Sequence, residues 1–267
     1  MMKKLIFKSI TFIFITVVLA ACGNKELGTG FNLFTIENDR DLGKQVAAEI
    51  DANPAEYPVL DSSRNVKAYK FLYDMRNSIL ESGNVRHKDD FVWRLRIIHD
   101  DETKNAFCTP GGYIYVYTGL MKFLDAEDQL AGVLAHEIAH ADFRHSTRQM
   151  TRMYGVQLLL SVIAGDREAL AQVTSGLIGL RFSRDHETEA DKGSVHYLCP
   201  TEYNAAGGAE FFKKIEEAGG AGVPEFLSTH PSPENRIESF YNEQAERACT
   251  GTFDYKTRYE EFLAILP

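Results

Sequence analysis

The run VLAHEIAHAD, residues 133–142, places three ionisable side chains in a stretch otherwise built for burial. Leu130, Val133, Leu134 and Ile138 recur at helical spacing and mark one apolar face, while Ala131, Ala135, Ala139 and Ala141 leave little polar surface on the others. Such a helix is buried almost all round. The pattern predicts a start at Asp125, an N-cap residue type, with Glu127 and Asp128 in a first turn where the helix dipole favours negative charge, and it runs at least to Arg144. His136 and His140, four positions apart, project from one face, so both imidazoles can be aimed at one point. Glu137 lies about 100° round the axis and can reach a water held at that point without being a ligand. This is the HExxH arrangement of two zinc ligands and a general base, and a buried helix carries it sensibly only when a cation offsets the desolvation.

Catalytic zinc usually takes three protein ligands and leaves a fourth position open. Phe143 and Ser146 stand where the metzincin pattern needs Gly and His, and His145 misses the required spacing, which leaves it a structural residue near the helix end. The stretch SRDHETEADKG, residues 183–193, is the better source of a third ligand. Glu187 and Asp191 are again four apart on an expected helix, so Glu187 can bind metal while Asp191 orients a ligand histidine.

Four segments in order, NAFCTPGGYIYVYTGLM, LAGVLAHEIAHADFRH, SRDHETEAD and STHPSPENR, resemble the gluzincin metallopeptidases of family forty-eight. They span roughly Asn105 to Arg236. The resemblance implies one zinc ion held by His136, His140 and Glu187, with Glu137 as general base and Asp191 as a supporting carboxylate. Glu189, between Glu187 and Asp191 on the helix, points away from them and should face solvent. It also implies an α+β, mainly α, zincin-like domain whose small sheet borders the cleft with an edge strand, here Tyr113, Ile114, Tyr115 and Val116. An extended substrate could add to that edge through main-chain hydrogen bonds. His230 is open between a replaceable fourth ligand, an oxyanion stabiliser and a loop residue that positions the next helix. The expected activity is endopeptidase action on envelope proteins in quality control. The competing expectation is a chaperone-like lipoprotein that binds unfolded clients with its protease arm silent.

The N-terminus reads as an export signal: Lys3, Lys4 and Lys8, an apolar stretch from Ile10 to Leu19, then Leu19-Ala20-Ala21-Cys22. That ending resembles the bacterial lipobox, in which the Cys is lipid-modified and becomes the first mature residue. Residues 1–21 then form the signal peptide, 22–36 a lipidated tether and 37–267 one peptidase domain. Gly23, rather than Asp, after the Cys points to an outer-membrane anchor facing the periplasm, with envelope assembly factors as conceivable partners. The next most apolar run, residues 154–165, is too short to span a bilayer.

Without the signal peptide, 26 of the 29 Lys and Arg face 38 acidic residues, about −12, which makes nucleic acid an improbable partner. Cys199 and Cys249 could pair in an oxidising compartment, leaving Cys108 as a buried thiol. Helical patterns run from Asp39 to Ile50 and Ser63 to Leu80, then over 167–182, 186–198, 205–218 and 233–247. The last of these has Ser232 to cap it and Pro233 at its first position. Residues 91–100 alternate as a strand, and the CTPGG turn leads to the β-rich YIYVYT.

Overall fold

Among the described residues three short strands form the sheet: β1 (Arg94–Ile98) pairs in parallel with β3 (Tyr113–Tyr117), and β3 pairs antiparallel with β2 (Ala106–Thr109). The order is therefore β1-β3-β2. This computed structural model describes residues 27–154, 156–217, 219, 224–233 and 235–267. The expected signal peptide, Cys22 and the first tether residues lie outside them.

Gly111 and Gly112, at φ 76° and 83°, turn the chain between β2 and β3. Tyr113, Tyr115 and Tyr117 point to one face of the sheet, against Leu42, Val46 and Ile50 of α1 (Ile36–Asp51) and Val173 and Leu177 of α7 (Arg167–Ile178). Ile114 and Val116 point to the other, against Leu72 of α2 (Val66–Leu80) and Leu130, Leu134 and Ile138 of α4 (Glu127–Asp142). Because both faces are covered, β3 is buried along its whole length, as its unbroken apolar and aromatic run requires. The strand expected at the sheet edge is thus the central one. Its main-chain groups are committed on both sides, and the edge beside α4 belongs to β2.

The remaining helices of the described residues are α3 (Thr118–Phe123), α5 (His145–Met153), α6 (Val156–Ile163), α8 (Arg184–Leu198), α9 (Gly207–Glu217), α10 (Pro224–Thr229), α11 (Arg236–Glu246) and α12 (Lys256–Leu263). Thr35 and Asn38 cap α1 reciprocally, each side chain accepting from the other's backbone N–H. Two expected boundaries move. Helix α4 starts at Glu127 after Ala126 and ends at Asp142, because Arg144 adopts φ 58° and turns the chain so that α5 begins at His145. Helix α11 starts at Arg236 after Asn235 at φ 56°, which leaves Ser232 and Pro233 outside it, and the Ser232 hydroxyl donates to the Pro233 carbonyl instead.

Cys199 and Cys249 form a disulfide and Cys108 is a free, buried thiol. Among the described residues no helix is long and apolar enough to cross a membrane. The described part of the expected tether lies along α5: Asn32 Nδ2 donates to Thr147 Oγ1 at 2.9 Å, the Leu33 N–H donates to Thr151 Oγ1 at 3.2 Å, and Phe34 is buried.

Candidate metal centre

Helices α4 and α8 approach through small residues. A Cβ on Gly193 would stand 2.8 Å from that of Ala139, so a larger side chain there would push the helices apart. The Ser183 hydroxyl caps α8 by accepting from the His186 N–H, which fixes its first turn and delivers Glu187 opposite the HEIAH face. From the far side His230 arrives at the end of α10, its ring stacked on Phe226.

The donor atoms converge. Nε2 of His136 and Nε2 of His140 are 3.0 Å apart, and Glu187 oxygens stand 3.5 and 3.4 Å from them. Nδ1 of His230 is 3.4 Å from His136 Nε2 and 3.3 Å from Glu187 Oε1. One donor atom from each of the four lies within 4.8 Å of every other. Two ligands about 2.0–2.1 Å from a zinc ion at the tetrahedral angle are separated by roughly 3.3–3.4 Å, so the set fits a single ion of that size. All four residues are at most 3% exposed, and so is Glu137. Neither carboxylate oxygen of Glu137 has a hydrogen-bond partner among the described residues. That leaves a buried acid beside a cluster of metal-type donors, with the His230 ring, at 3.5 Å, and the Cys108 thiol near its oxygens.

Supporting groups set which ring nitrogen faces inward. His136 Nδ1 lies 2.9 Å from Asp191 Oδ1, so an N–H there donates to the carboxylate and leaves the Nε2 lone pair for a metal. Arg236 donates to Glu187 Oε2 at 3.1 Å and to Asp191 Oδ1 at 2.7 Å, tying both acids together. His140 Nδ1 lies 2.9 Å from His145 Nδ1, and His145 Nε2 lies 3.1 Å from Glu189 Oε2.

Burial alone would protonate Glu187, but facing His230, His136 and His140 outweigh it and hold the carboxyl well below its usual range. Burial presses His136 downward, yet Asp191 and Glu187 carry it up to about 9, a measure of how strongly the pocket draws positive charge. Burial depresses His140 and takes His145 down to about 4, so both rings are neutral at pH 7. Glu137 is raised by burial, and the Cys108 thiol beside it on β2, raised by burial and by the Glu137 charge, stays protonated.

The structure thus brings His136, Glu137, His140, Glu187, Asp191 and His230 to one place. It does not bring Tyr113–Val116 there as an edge. Glu189 is not solvent-facing: it is 8% exposed and accepts from His145 and from Arg148. Its side of α8 is covered by α5, a helix that the sequence reading did not anticipate. Arg236 also went unseen, although it closes the STHPSPENR segment and so travels with His230.

Residues 74–244 match the model of Peptidase family M48. The chain is 33% identical over 154 residues to the mitochondrial metalloendopeptidase OMA1 of Schizosaccharomyces pombe, covering 55% of this chain and 45% of that protein. It is 31% identical over 162 residues to the beta-barrel assembly-enhancing protease of Escherichia coli K12, covering 55% and 33%. It is 28% identical over 204 residues to the mitochondrial metalloendopeptidase OMA1 of Danio rerio, covering 62% and 42%. The chain spans less than half the length of each of these relatives. The family match takes in the HEIAH helix, Glu187, Asp191, His230 and Arg236 and extends over well more than half the sequence, so the chain belongs to Peptidase family M48.

Proposed function

We propose that the chain is a zinc-dependent endopeptidase. The observation that carries this is the convergence of His136, His140 and Glu187 next to a buried Glu137. A zinc ion held by His136, His140 and Glu187 would supply Lewis-acid chemistry, polarising the scissile carbonyl and making water a better nucleophile near neutral pH. Glu137 takes the proton of the attacking water and passes it to the leaving amine. Asp191 and Arg236 hold His136 and Glu187 in register throughout. A substrate strand would align on the outer edge of β2, since β3 has no free main-chain groups. The test is casein digestion with and without chelator, beside Glu137→Gln. Chelator-sensitive cleavage lost in that variant supports the reading, and chelator-resistant cleavage contradicts it.

We read His230 as a replaceable fourth ligand; what supports this is its Nδ1, 3.4 Å from His136 Nε2 and 3.3 Å from Glu187 Oε1, with Nε2 3.5 Å from Glu137 Oε1. In that role it restrains the resting enzyme. Raised basal activity in His230→Ala is expected, and lost activity would assign His230 to the oxyanion.

The finer reading is a peptidase of misfolded or outer-membrane proteins, lipid-anchored through Cys22 to the outer membrane and facing the periplasm. Its supports are the Leu19–Cys22 sequence and the likeness to a protein named for β-barrel assembly. Mass spectrometry of the mature N-terminus tests the anchor, and an unmodified Cys22 ends it. The burial of every site residue also favours a second reading, a client-binding lipoprotein with its protease arm silent. Suppression of client aggregation by Glu137→Gln, with no cleavage by the wild type, would select it.

A further inference from the structure

The chain of contacts behind His140 does not stop at Glu189. Several donors meet on Glu189 Oε2, among them His145 Nε2 at 3.1 Å, an Arg148 guanidinium nitrogen at 3.1 Å and the Gly28 N–H at 3.3 Å. The same guanidinium donates to the Thr29 carbonyl at 2.6 Å. Residues 28 and 29 thus grip both members of the Arg148–Glu189 pair. The fit depends on glycine. A Cβ at Gly28, which has φ 70°, would stand 2.6 Å from the Phe143 ring, and one at Gly30 would stand 2.8 Å from the Arg148 guanidinium.

The grip bears on metal binding through tautomers. With Glu189 as carboxylate, His145 carries its proton on Nε2 and its Nδ1 is an acceptor. His140 must then place its proton on Nδ1, facing His145, which leaves its Nε2 lone pair in the cluster.

We propose that residues 28–30, just past the expected anchor, are a strap belonging to the metal centre: they hold Arg148 and Glu189, which fix His145 and through it the metal-binding tautomer of His140. These are positioning residues, and the inference rests on the metal-site reading. One consequence is that chains trimmed to begin beyond residue 30 bind zinc more weakly than the full mature protein.

The experiment measures zinc affinity of the full mature chain by competition with a chromophoric chelator, together with imidazole ¹⁵N NMR of the His140 tautomer. Gly30→Val and the near-isosteric Glu189→Gln are compared with Phe31→Ala, whose ring is 74% exposed in the same segment. Affinity roughly 10–100-fold lower in Gly30→Val and Glu189→Gln, with His140 protons appearing on Nε2 and Phe31→Ala unchanged, is expected. Glu189→Gln preserves volume, so it reports even if Gly30→Val folds poorly. Zinc affinity and tautomer unchanged in Glu189→Gln overturn the strap while leaving the zinc site intact. A wild type with no zinc affinity overturns the metal reading itself.

Discussion

Replacing Gly132 by Ala tests whether the HEIAH helix is held where the site needs it. Helices α4 and α9 meet backbone to backbone: a Cβ on Gly132 would stand 2.4 Å from the Gly208 nitrogen and 2.8 Å from its Cα. Carbon contacts settle at about 3.5–4.0 Å, so the helices must part by roughly 1 Å. Overpacking of a core typically costs about 1–3 kcal/mol, and backbone on the far side leaves no side chain to swing away, which puts this case near the upper end. Alanine returns about 1 kcal/mol of helix propensity. The net loss is therefore about 2 kcal/mol, a fall in Tm of roughly 4–8 °C for a chain of this size. His136 sits one turn further along the same face, so zinc affinity should fall as well. Gly179→Ala is the control, since nothing lies within 4 Å of a Cβ there, and its midpoint should stay within about 0.5 kcal/mol of wild type. Thermal unfolding reads both. A Gly132→Ala protein that melts at or above the wild-type temperature would refute the close-approach argument.

Glu137→Gln should retain zinc while kcat falls by about 10²–10⁴-fold, and peptide turnover near wild type would remove the general base from the account. Burial pushes Asp128 up to about 6, so its ionisation works against the fold: the penalty is absent below about pH 4, grows as pH rises through 6, and reaches up to roughly 3 kcal/mol above that. Asp128→Asn should therefore gain stability over wild type between pH 5 and 7 and gain little near pH 4; a difference that is flat with pH contradicts the assignment. Replacing both Cys199 and Cys249 by Ser opens a loop of 50 residues and should cost about 4 kcal/mol in urea unfolding, and a loss under about 1 kcal/mol would show that the bridge constrains little.

Helical periodicity made the pairs His136–His140 and Glu187–Asp191 legible as candidates, because i, i+4 spacing converts directly into a shared face, and Glu137 followed from its place about 100° round the same axis. The same logic misplaced Glu189. Two positions on from Glu187 points round to the opposite side of α8, and that side faces solvent only if nothing else packs there. Helix α5 packs there, and its start depends on a left-handed Arg144 that no residue-type rule demands. Strand order was hidden for a related reason. Tyr113–Tyr117 reads as a buried β-run whether central or at an edge, although its burial on both faces was the available hint. Arg236 carries no spacing signal linking it to Glu187 and Asp191, since the contact spans more than forty residues and depends on where α11 begins.

Zinc analysis of the purified mature protein, compared with Glu137→Gln and Glu187→Gln, bears most directly on the central claim. The proposed zinc-peptidase reading predicts one zinc per wild-type chain, kept in Glu137→Gln and lost in Glu187→Gln. Wild-type protein free of zinc after purification without chelator, or Glu187→Gln holding as much zinc as wild type, would contradict it.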